Sequence, residues 1–151
     1  MQANQDFHIL LVEDDPADAY LAQVAFQDAA ISAHLIHVTD GVEALEYLQD
    51  EEQPQPDLIL LDLNMPRMDG RTFLAQAKAD PLLRCIPIVV LSTSSAASDI
   101  RAAYRDHASG YVVKPLTLDD LIIKLTEVTR YWMSTVCLWS RTSAFDTASH
   151  P

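Results

Sequence analysis

The chain has 151 residues, of which 49% are hydrophobic and 21% are charged, a composition typical of a globular domain with a substantial core. Its formal net charge is −12, from 22 acidic and 10 basic residues, which argues against binding to nucleic acid or to an anionic membrane because both require a basic surface. There is no apolar run of the roughly 18 residues that cross a membrane and no recognisable signal peptide. We therefore expect a cytoplasmic protein.

Five apolar segments predict β-strands, and a segment with helical periodicity follows each of them. The predicted strands are Phe7–Val12, His34–Val38, Leu58–Asp62, Ile86–Leu91 and Gly110–Val113. The predicted helices are Pro16 to about Ala30, a segment after Gly41 that carries Ala44, Leu45 and Leu48, Arg71–Ala79, a segment through Ile100–Tyr104, and a last segment from Leu118 to Val128. This alternation predicts an α/β fold with a parallel sheet, right-handed crossovers and helices on both faces.

The length allows one domain and is too short for two ordinary ones. We expect residues 7–133 to form it, after an extension of residues 1–6 and before a tail of residues 134–151. The end of that tail is expected to be disordered. Cys85 and Cys137 match no metal-ligand spacing, and we expect both to be reduced, partly buried thiols.

The predicted third strand is the centre of the sequence pattern. Its run of branched apolar residues carries no charge before Asp62, which is typical of a strand buried on both faces of a parallel sheet. Ligands of open α/β sheets bind at the carboxyl ends of the strands, where Asp62 would lie. Taken alone, Asp62 could equally be a residue that ends a strand and begins a turn.

Polar residues follow most of the predicted strands, and all of them would lie along one edge of a parallel sheet. Glu13, Asp14 and Asp15 follow the first strand, Ser92 and Thr93 the fourth, and Lys114 the fifth. Each has a simpler interpretation by itself: the acids as a helix N-terminus, Ser92 as a loop residue, and Lys114 as an exposed turn residue. Their joint occurrence at strand ends favours a common site.

The chemistry that needs this set is transfer of a phosphoryl group to a carboxylate. Asp62 would be the nucleophile, and positive charges must offset its repulsion by an anionic donor. Asp14 and Asp62 could hold Mg²⁺ with the backbone carbonyl of Asn64, and Glu13 could bind the ion through water. Lys114 would supply a positive charge to the phosphoryl oxygens, and Ser92 a hydroxyl donor.

These motifs resemble the receiver domains of two-component response regulators, the CheY-like family. The resemblance runs from about Phe7 to Arg130 and is carried by Val12-Glu-Asp-Asp-Pro16, Leu61-Asp-Leu-Asn-Met-Pro-Arg-Met-Asp-Gly70, Leu91-Ser92 and Ser109-Gly-Tyr-Val-Val-Lys-Pro115. It implies a flavodoxin-like, doubly wound, five-stranded parallel sheet with strand order 2-1-3-4-5. It also implies that a histidine kinase phosphorylates Asp62 and that the Lys114–Pro115 bond is cis.

The same resemblance implies roles for individual residues. Glu13 and Asp14 would be the acidic pair, Ser92 the switch hydroxyl and Lys114 the phosphate-contacting lysine. Tyr111 would be the aromatic side chain whose rotamer follows the hydroxyl, although the simplest interpretation of Tyr111 is a core residue. Glu13 and Ser92 depart mildly from the family, in which Asp and Thr are common at these positions.

The segment Tyr131–Trp139 is similar to the carboxyl end of cyanobacterial phytochrome-associated single-domain regulators, which dimerise. That similarity implies a phytochrome-type kinase as partner and a homodimer without a DNA-binding output domain. The candidate interface residues are Tyr131, Trp132, Val136, Leu138 and Trp139. Aromatic residues just past a surface helix would leave an apolar patch unless covered, and the alternative is that the tail folds back on its own domain.

Three functions remain open at this point. The first is a phosphorylation switch, with self-catalysed phosphorylation and dephosphorylation rather than ordinary enzyme turnover. The second is a metal-dependent phosphohydrolase with an aspartyl-phosphate, against which the asparagine at position 64 counts, because such enzymes need an acid there. The third is a binding module that acts as a constitutive dimer without phosphorylation. The sequence argues against a dinucleotide enzyme, since Gly41, Gly70 and Gly110 are the only glycines and form no GxGxxG motif.

Overall fold

A computed structural model describes residues 7–28, 32–63 and 69–138 of the chain. Strands and helices alternate through this part, and a single π-helical turn follows the last helix. The strands are β1 (Phe7–Val12), β2 (Ala33–Val38), β3 (Leu58–Asp62), β4 (Ile88–Ser92) and β5 (Gly110–Val113). The helices are α1 (Pro16–Asp28), α2 (Gly41–Gln49), α3 (Gly70–Ala79), α4 (Ala97–Arg105) and α5 (Leu118–Arg130), and the π-helical turn is Tyr131–Thr135.

The five strands form one parallel sheet in the order β2-β1-β3-β4-β5. This order confirms the flavodoxin-like topology expected from the sequence. The chain reverses its direction of winding between β1 and β3, so a crevice opens at the carboxyl ends of these two strands. In the register of the sheet Val12 lies beside Leu61, which brings the residue after β1 level with the last residue of β3.

Apolar clusters cover both faces of the sheet. On one face the inward residues of α2 and α3, among them Ala44 and Phe73, pack on alternate residues of β1, β3 and β4. On the other face α1 and α5 do so, with Ala22 and Leu125 buried. Every residue of β3 and β4 is buried, because each side of these strands meets a helical layer. The strand that ends in Asp62 is therefore rigidly held.

Three sequence-based expectations were wrong in detail. The fourth strand begins at Ile88 rather than Ile86, because the amide of Ile86 donates to Leu83 in the preceding turn. Cys85 and Cys137 are exposed rather than partly buried, since both lie in connecting segments and not on a core-facing element. The Lys114–Pro115 bond, expected to be cis, is trans, as are all peptide bonds among the described residues. The two isomers before proline differ by only about 0.5–1 kcal/mol, so sequence alone does not decide between them.

The chain beyond α5 packs on its own domain. Trp132, Met133 and Leu138 are half-buried against the cluster of α1 and α5, whereas Tyr131 remains 53% exposed and meets the Trp132 ring edge-on. The candidate interface residue Trp139 lies outside the described residues. Within the described part of the chain, no helix is both long and apolar enough to span a bilayer.

Gly70, the first residue of α3, allows that helix to approach the end of β3. Its amide donates to the carbonyl of Leu63 at 2.8 Å. A Cβ atom at this position would lie 2.5 Å from both the carbonyl oxygen of Asp62 and Cα of Leu63. Both are backbone atoms, which cannot rotate away as a side chain would. The position of α3 against the strand that carries Asp62 therefore requires glycine here.

We expect Gly70→Ala to lower the free energy of unfolding by about 2–3 kcal/mol, since overpacking against backbone forces α3 and β3 apart. Gly110→Ala is the matched control, because a Cβ there would make only ordinary contact with Val89, at 3.6 Å. Urea denaturation of both variants measures the difference. Equal stability of the two variants would contradict the steric account of Gly70.

Candidate functional site

The carboxyl edge of the sheet brings together the polar residues that the sequence placed at strand ends. Glu13 and Asp14 directly follow β1, and Asp62 is the last residue of β3. Ser92 ends β4, where it pairs with Val113, the residue before Lys114. All five therefore lie along the carboxyl edge of the sheet, as predicted, and the three acids lie at the crevice between β1 and β3. Asn64, the expected source of a carbonyl ligand, lies outside the described residues.

Three carboxylates converge in this crevice. One oxygen each from Glu13, Asp14 and Asp62 can be chosen so that all lie within 4.8 Å of one another. Glu13 is 2% exposed and Asp62 7% exposed, whereas Asp14 is open to solvent. Carboxylate oxygens are the ligands that hard divalent cations prefer, and Mg²⁺ usually keeps several waters beside one or two of them. The donors and the solvent-open side both fit such an ion.

Lys114 brings a positive charge close to these acids. Its Nζ lies 3.1 Å from Oε2 of Glu13, 3.4 Å from Oδ2 of Asp18 and 3.9 Å from Oδ2 of Asp62. Burial alone would lower the pKa of the Lys114 ammonium, but the charges of Glu13 and Asp62 outweigh burial and raise this pKa above its usual value. The lysine is therefore cationic at any physiological pH.

Glu13 shows the cost of burying several acids together. Burial raises the pKa of the Glu13 carboxyl group to about 7, and the negative charge of Asp62 acts in the same direction. The ammonium of Lys114 opposes both by attraction and by a hydrogen bond. Glu13 is thus only partly ionised near neutral pH without a cation, and a bound divalent ion would favour its charged form.

The segment Glu13–Asp15, which we call the acid loop, is tied to its neighbours mainly through the backbone. The amide of Glu13 donates to the carbonyl of Val38 at 3.0 Å, and Nε2 of His37 lies 2.7 Å from the carbonyl oxygen of Glu13. Oδ1 of Asp15 accepts from the amide of Ala17 at 2.8 Å, so this side chain caps the start of α1. Strand β2 and helix α1 together hold the loop.

Ser92 and Tyr111 meet in the loop after β4. The carbonyl of Ser92 accepts from the amide of Lys114 at 2.7 Å, and its hydroxyl accepts from the amide of Ser94 at 3.1 Å. The Tyr111 hydroxyl donates to the carbonyl of Ser94 at 2.9 Å, while its ring is half-buried against the core. Tyr111 is therefore a core aromatic that also contacts the loop carrying Ser92.

Two residues at the site were not anticipated from the sequence. Asp18 lies in the first turn of α1 and was one of 22 acidic residues, so its closeness in sequence to the strand-end acids was the one signal that could have indicated it. His37 is the penultimate residue of β2, a strand to which no functional residue was assigned. Only the sheet order, which sets β2 beside β1, could have indicated His37.

Metal-free protein should become less stable with rising pH because of Glu13. Between the ordinary Glu pKa of 4.5 and the folded-state pKa of about 7, the folded protein keeps a proton that the unfolded chain has lost. The free energy of unfolding therefore falls across this window, on the order of 2 kcal/mol. Glu13→Gln should remove this part of the slope, measured by urea denaturation in EDTA from pH 5 to pH 8.

The matched control for that measurement is Glu127→Gln, which makes the same chemical change at an exposed position of α5. This variant should keep the wild-type pH dependence. A slope that is unchanged in Glu13→Gln would contradict the raised pKa of Glu13.

Known proteins resemble this chain over nearly its whole length. Response regulator Rcp1 of Synechocystis sp. is 41% identical over 141 residues, which cover 91% of this chain and 96% of the relative. The probable methanogenesis regulatory protein FilR2 of Methanothrix harundinacea is 39% identical over 144 residues, covering 93% and 90%. Two relatives of similar identity are thus named as a response regulator and as a probable methanogenesis regulatory protein.

Solved structures of similar proteins share this fold, and they include a metal-bound form and a phosphorylated form. The Mn²⁺-bound form of Rcp1 matches with a TM-score of 0.82 at 41% identity, covering 89% of this chain and 99% of that one. The phosphorylated cyanobacterial phytochrome response regulator RcpA matches with a TM-score of 0.84 at 41% identity, covering 90% and 100%. One of these relatives therefore binds a divalent metal and the other carries a phosphoryl group.

The family model for the response regulator receiver domain matches residues 9–126. This match covers more than half of the chain and includes the acid loop, Asp62, Ser92 and Lys114. Together with the sheet order and the acidic cluster beside a lysine, it shows that the chain belongs to the response regulator receiver domain family.

Proposed function

We propose that this receiver domain accepts a phosphoryl group on Asp62 from a phosphohistidine of a sensor histidine kinase. The observation that carries the proposal is the convergence of Glu13, Asp14 and Asp62 within 4.8 Å, with Nζ of Lys114 only 3.9 Å from Oδ2 of Asp62. A buried carboxylate at a strand end, beside both a cation site and a fixed ammonium, is arranged to attack an anionic donor.

In the transfer step an oxygen of Asp62 forms a bond to phosphorus as the bond between phosphorus and the histidine nitrogen breaks. The electron pair of the broken bond returns to the imidazole, which leaves as the neutral base after taking up a proton from solvent. A bound Mg²⁺ ion would offset negative charge on the phosphoryl oxygens. The residues to hold it are Asp14 and Asp62 directly and Glu13 through water.

Lys114 exchanges partners in this proposal. In the unphosphorylated protein its ammonium is bound by Glu13 and Asp18, and a phosphoryl group on Asp62 would offer it a more highly charged acceptor nearby. The backbone amide of Lys114 donates a hydrogen bond to the carbonyl of Ser92, so a movement of Lys114 would also shift the loop after β4. There the Ser92 hydroxyl would turn to donate to the phosphoryl group, which would weaken the hydrogen bond that it accepts from the amide of Ser94, the residue whose carbonyl accepts from Tyr111.

The partner and its signal are part of the proposal. The names of Rcp1 and RcpA as response regulators, the second of a phytochrome, favour a phytochrome-type histidine kinase acting in the cytoplasm. FilR2, at 39% identity, is named for methanogenesis, so similarity of this degree also occurs outside light signalling. We favour the phytochrome-type kinase because RcpA, at 41% identity over 90% of this chain, is named as a phytochrome response regulator.

Incubation with Mg²⁺ and acetyl phosphate should add one labile phosphoryl group, detected by intact mass and located on Asp62 by peptide mapping. Asp62→Asn should take no label, since an amide cannot form the acyl phosphate. The matched control is Asp57→Asn, which changes an acid just before the start of the same strand, where it accepts from the amide of His8. This variant should be labelled like the wild type.

The same experiment separates the competing functions. Absence of label on wild-type protein, with Mg²⁺ bound, would overturn the proposal in favour of a binding module that acts without phosphorylation. Continuous turnover of a small phosphate ester would instead support a phosphohydrolase.

We further propose that the chain forms a homodimer through the exposed side of α5 and the segment after it. Ile123 is 54% and Tyr131 53% exposed, and large apolar side chains on one surface element suit a self-complementary interface. Trp132 and Leu138 are half-buried against their own domain, so only their exposed parts would contact the second copy. Val136 and Trp139 complete the residues proposed for the interface.

Sedimentation equilibrium tests the dimer. Tyr131→Ala should weaken dimerisation by about tenfold or more if the ring is an anchor of the interface, whereas Tyr20→Ala, which removes a similarly exposed ring from α1, should not. Wild-type protein that remains monomeric at high concentration, with and without phosphorylation, would contradict the proposal.

A further inference from the structure

His37 is the side chain of β2 that reaches the acid loop. It is half-buried, and its Nε2 lies 2.7 Å from the carbonyl oxygen of Glu13, 24 residues earlier in the chain. A carbonyl oxygen only accepts hydrogen bonds, so Nε2 must carry the proton that it donates. The contact therefore specifies both the orientation of the ring and the nitrogen that is protonated.

The backbone of Glu13 is attached to β2 at two points, and only one of them depends on a side chain. The bond from the amide of Glu13 to the carbonyl of Val38 extends the hydrogen-bond ladder between β1 and β2, and any residue at position 38 would accept it. The bond from His37 to the carbonyl of Glu13 needs a donor of suitable reach at position 37. Because Glu13 is 2% exposed, water cannot readily replace that donor.

The carbonyl of Glu13 belongs to the peptide unit that links Glu13 to Asp14. This unit is planar, so fixing its oxygen also fixes the direction in which the backbone enters Asp14. Asp14 is exposed, so burial does not fix its carboxylate, although one of its oxygens lies within 4.8 Å of oxygens of Glu13 and Asp62. The hydrogen bond from His37 is therefore a restraint on where the Asp14 carboxylate lies relative to Asp62.

We propose that His37 is a positioning residue for the divalent-cation site. By donating its Nε2 proton to the carbonyl of Glu13, it holds the peptide between Glu13 and Asp14 in the orientation that brings the Asp14 and Asp62 oxygens together. The inference deepens the proposed function and rests on it, since it concerns the affinity of that same site for its cation. It assigns a role to β2, a strand that contributes no candidate ligand.

The test uses two substitutions of different chemistry at position 37. His37→Phe keeps a planar ring of similar size and removes the donor. His37→Gln keeps a donor, because the amide nitrogen of glutamine reaches about as far from the backbone as Nε2 of histidine. His34→Phe is the matched control: it removes an imidazole from the same strand, at the end away from the acid loop, where His34 stacks on His8.

Binding of Mn²⁺ to the unphosphorylated protein, followed by the electron paramagnetic resonance signal of free Mn²⁺, measures the site directly. We expect His37→Phe to bind Mn²⁺ about tenfold more weakly than wild type, a typical loss when a group that orients a metal ligand is removed. His37→Gln should recover most of the affinity, and His34→Phe should match wild type. In wild-type protein, nitrogen-15 spectra of the His37 ring should show the proton on Nε2.

The outcomes separate this inference from the proposed function. Wild-type protein that binds Mn²⁺, together with unchanged affinity in His37→Phe, would overturn the role of His37 alone. Equal losses in His37→Phe and His37→Gln would also overturn it, because they would indicate packing of the imidazole rather than its hydrogen bond. Wild-type protein that binds no Mn²⁺ would overturn the cation site and this inference together.

Discussion

The attraction between Lys114 and the acids around it makes the arrangement at the sheet edge possible. Glu13 and Asp62 are both nearly excluded from solvent, and two such carboxylates would repel each other at a cost that a small domain could not easily offset. The ammonium of Lys114 reaches both of them and Asp18 as well. One ammonium does not neutralise all of these acids, so the cluster keeps an excess of negative charge that a divalent cation can offset before an anionic phosphoryl donor approaches.

The rest of the fold places those charges. Burial of β1 and β3 on both faces fixes the strands from which Glu13 and Asp62 emerge, and Gly70 lets α3 begin against the backbone of Asp62. Lys114 directly follows strand β5. Its backbone amide donates a hydrogen bond to the carbonyl of Ser92, which connects the charge cluster with the loop after β4. A change of charge at Asp62 therefore has a short, continuous route of contacts to a surface loop, as a two-state signalling domain needs.

Much of this could be predicted because it depends on local patterns. The uncharged run before Asp62 predicted a central strand, and the alternation of strands and helices predicted a parallel sheet whose carboxyl edge collects Glu13, Asp14, Ser92 and Lys114. Contacts that depend on side-chain reach could not be predicted. The ion pair between Asp18 and Lys114 depends on the direction in which α1 begins. The contact of His37 with the acid loop depends on the pairing of β2 with β1. The exposure of Cys85 likewise depends on where β4 begins, which a turn before it decides.

A double-mutant cycle between Glu13→Gln and Lys114→Met would test the central claim most directly. In EDTA at pH 8, where Glu13 is mostly ionised even without a cation, the free energies of unfolding of wild type, both single variants and the double variant should give a favourable coupling on the order of 1–2 kcal/mol. Saturating Mg²⁺ should reduce that coupling, because the cation competes with the ammonium for the same carboxylates. A coupling near zero in EDTA, or one that Mg²⁺ leaves unchanged, would contradict the account.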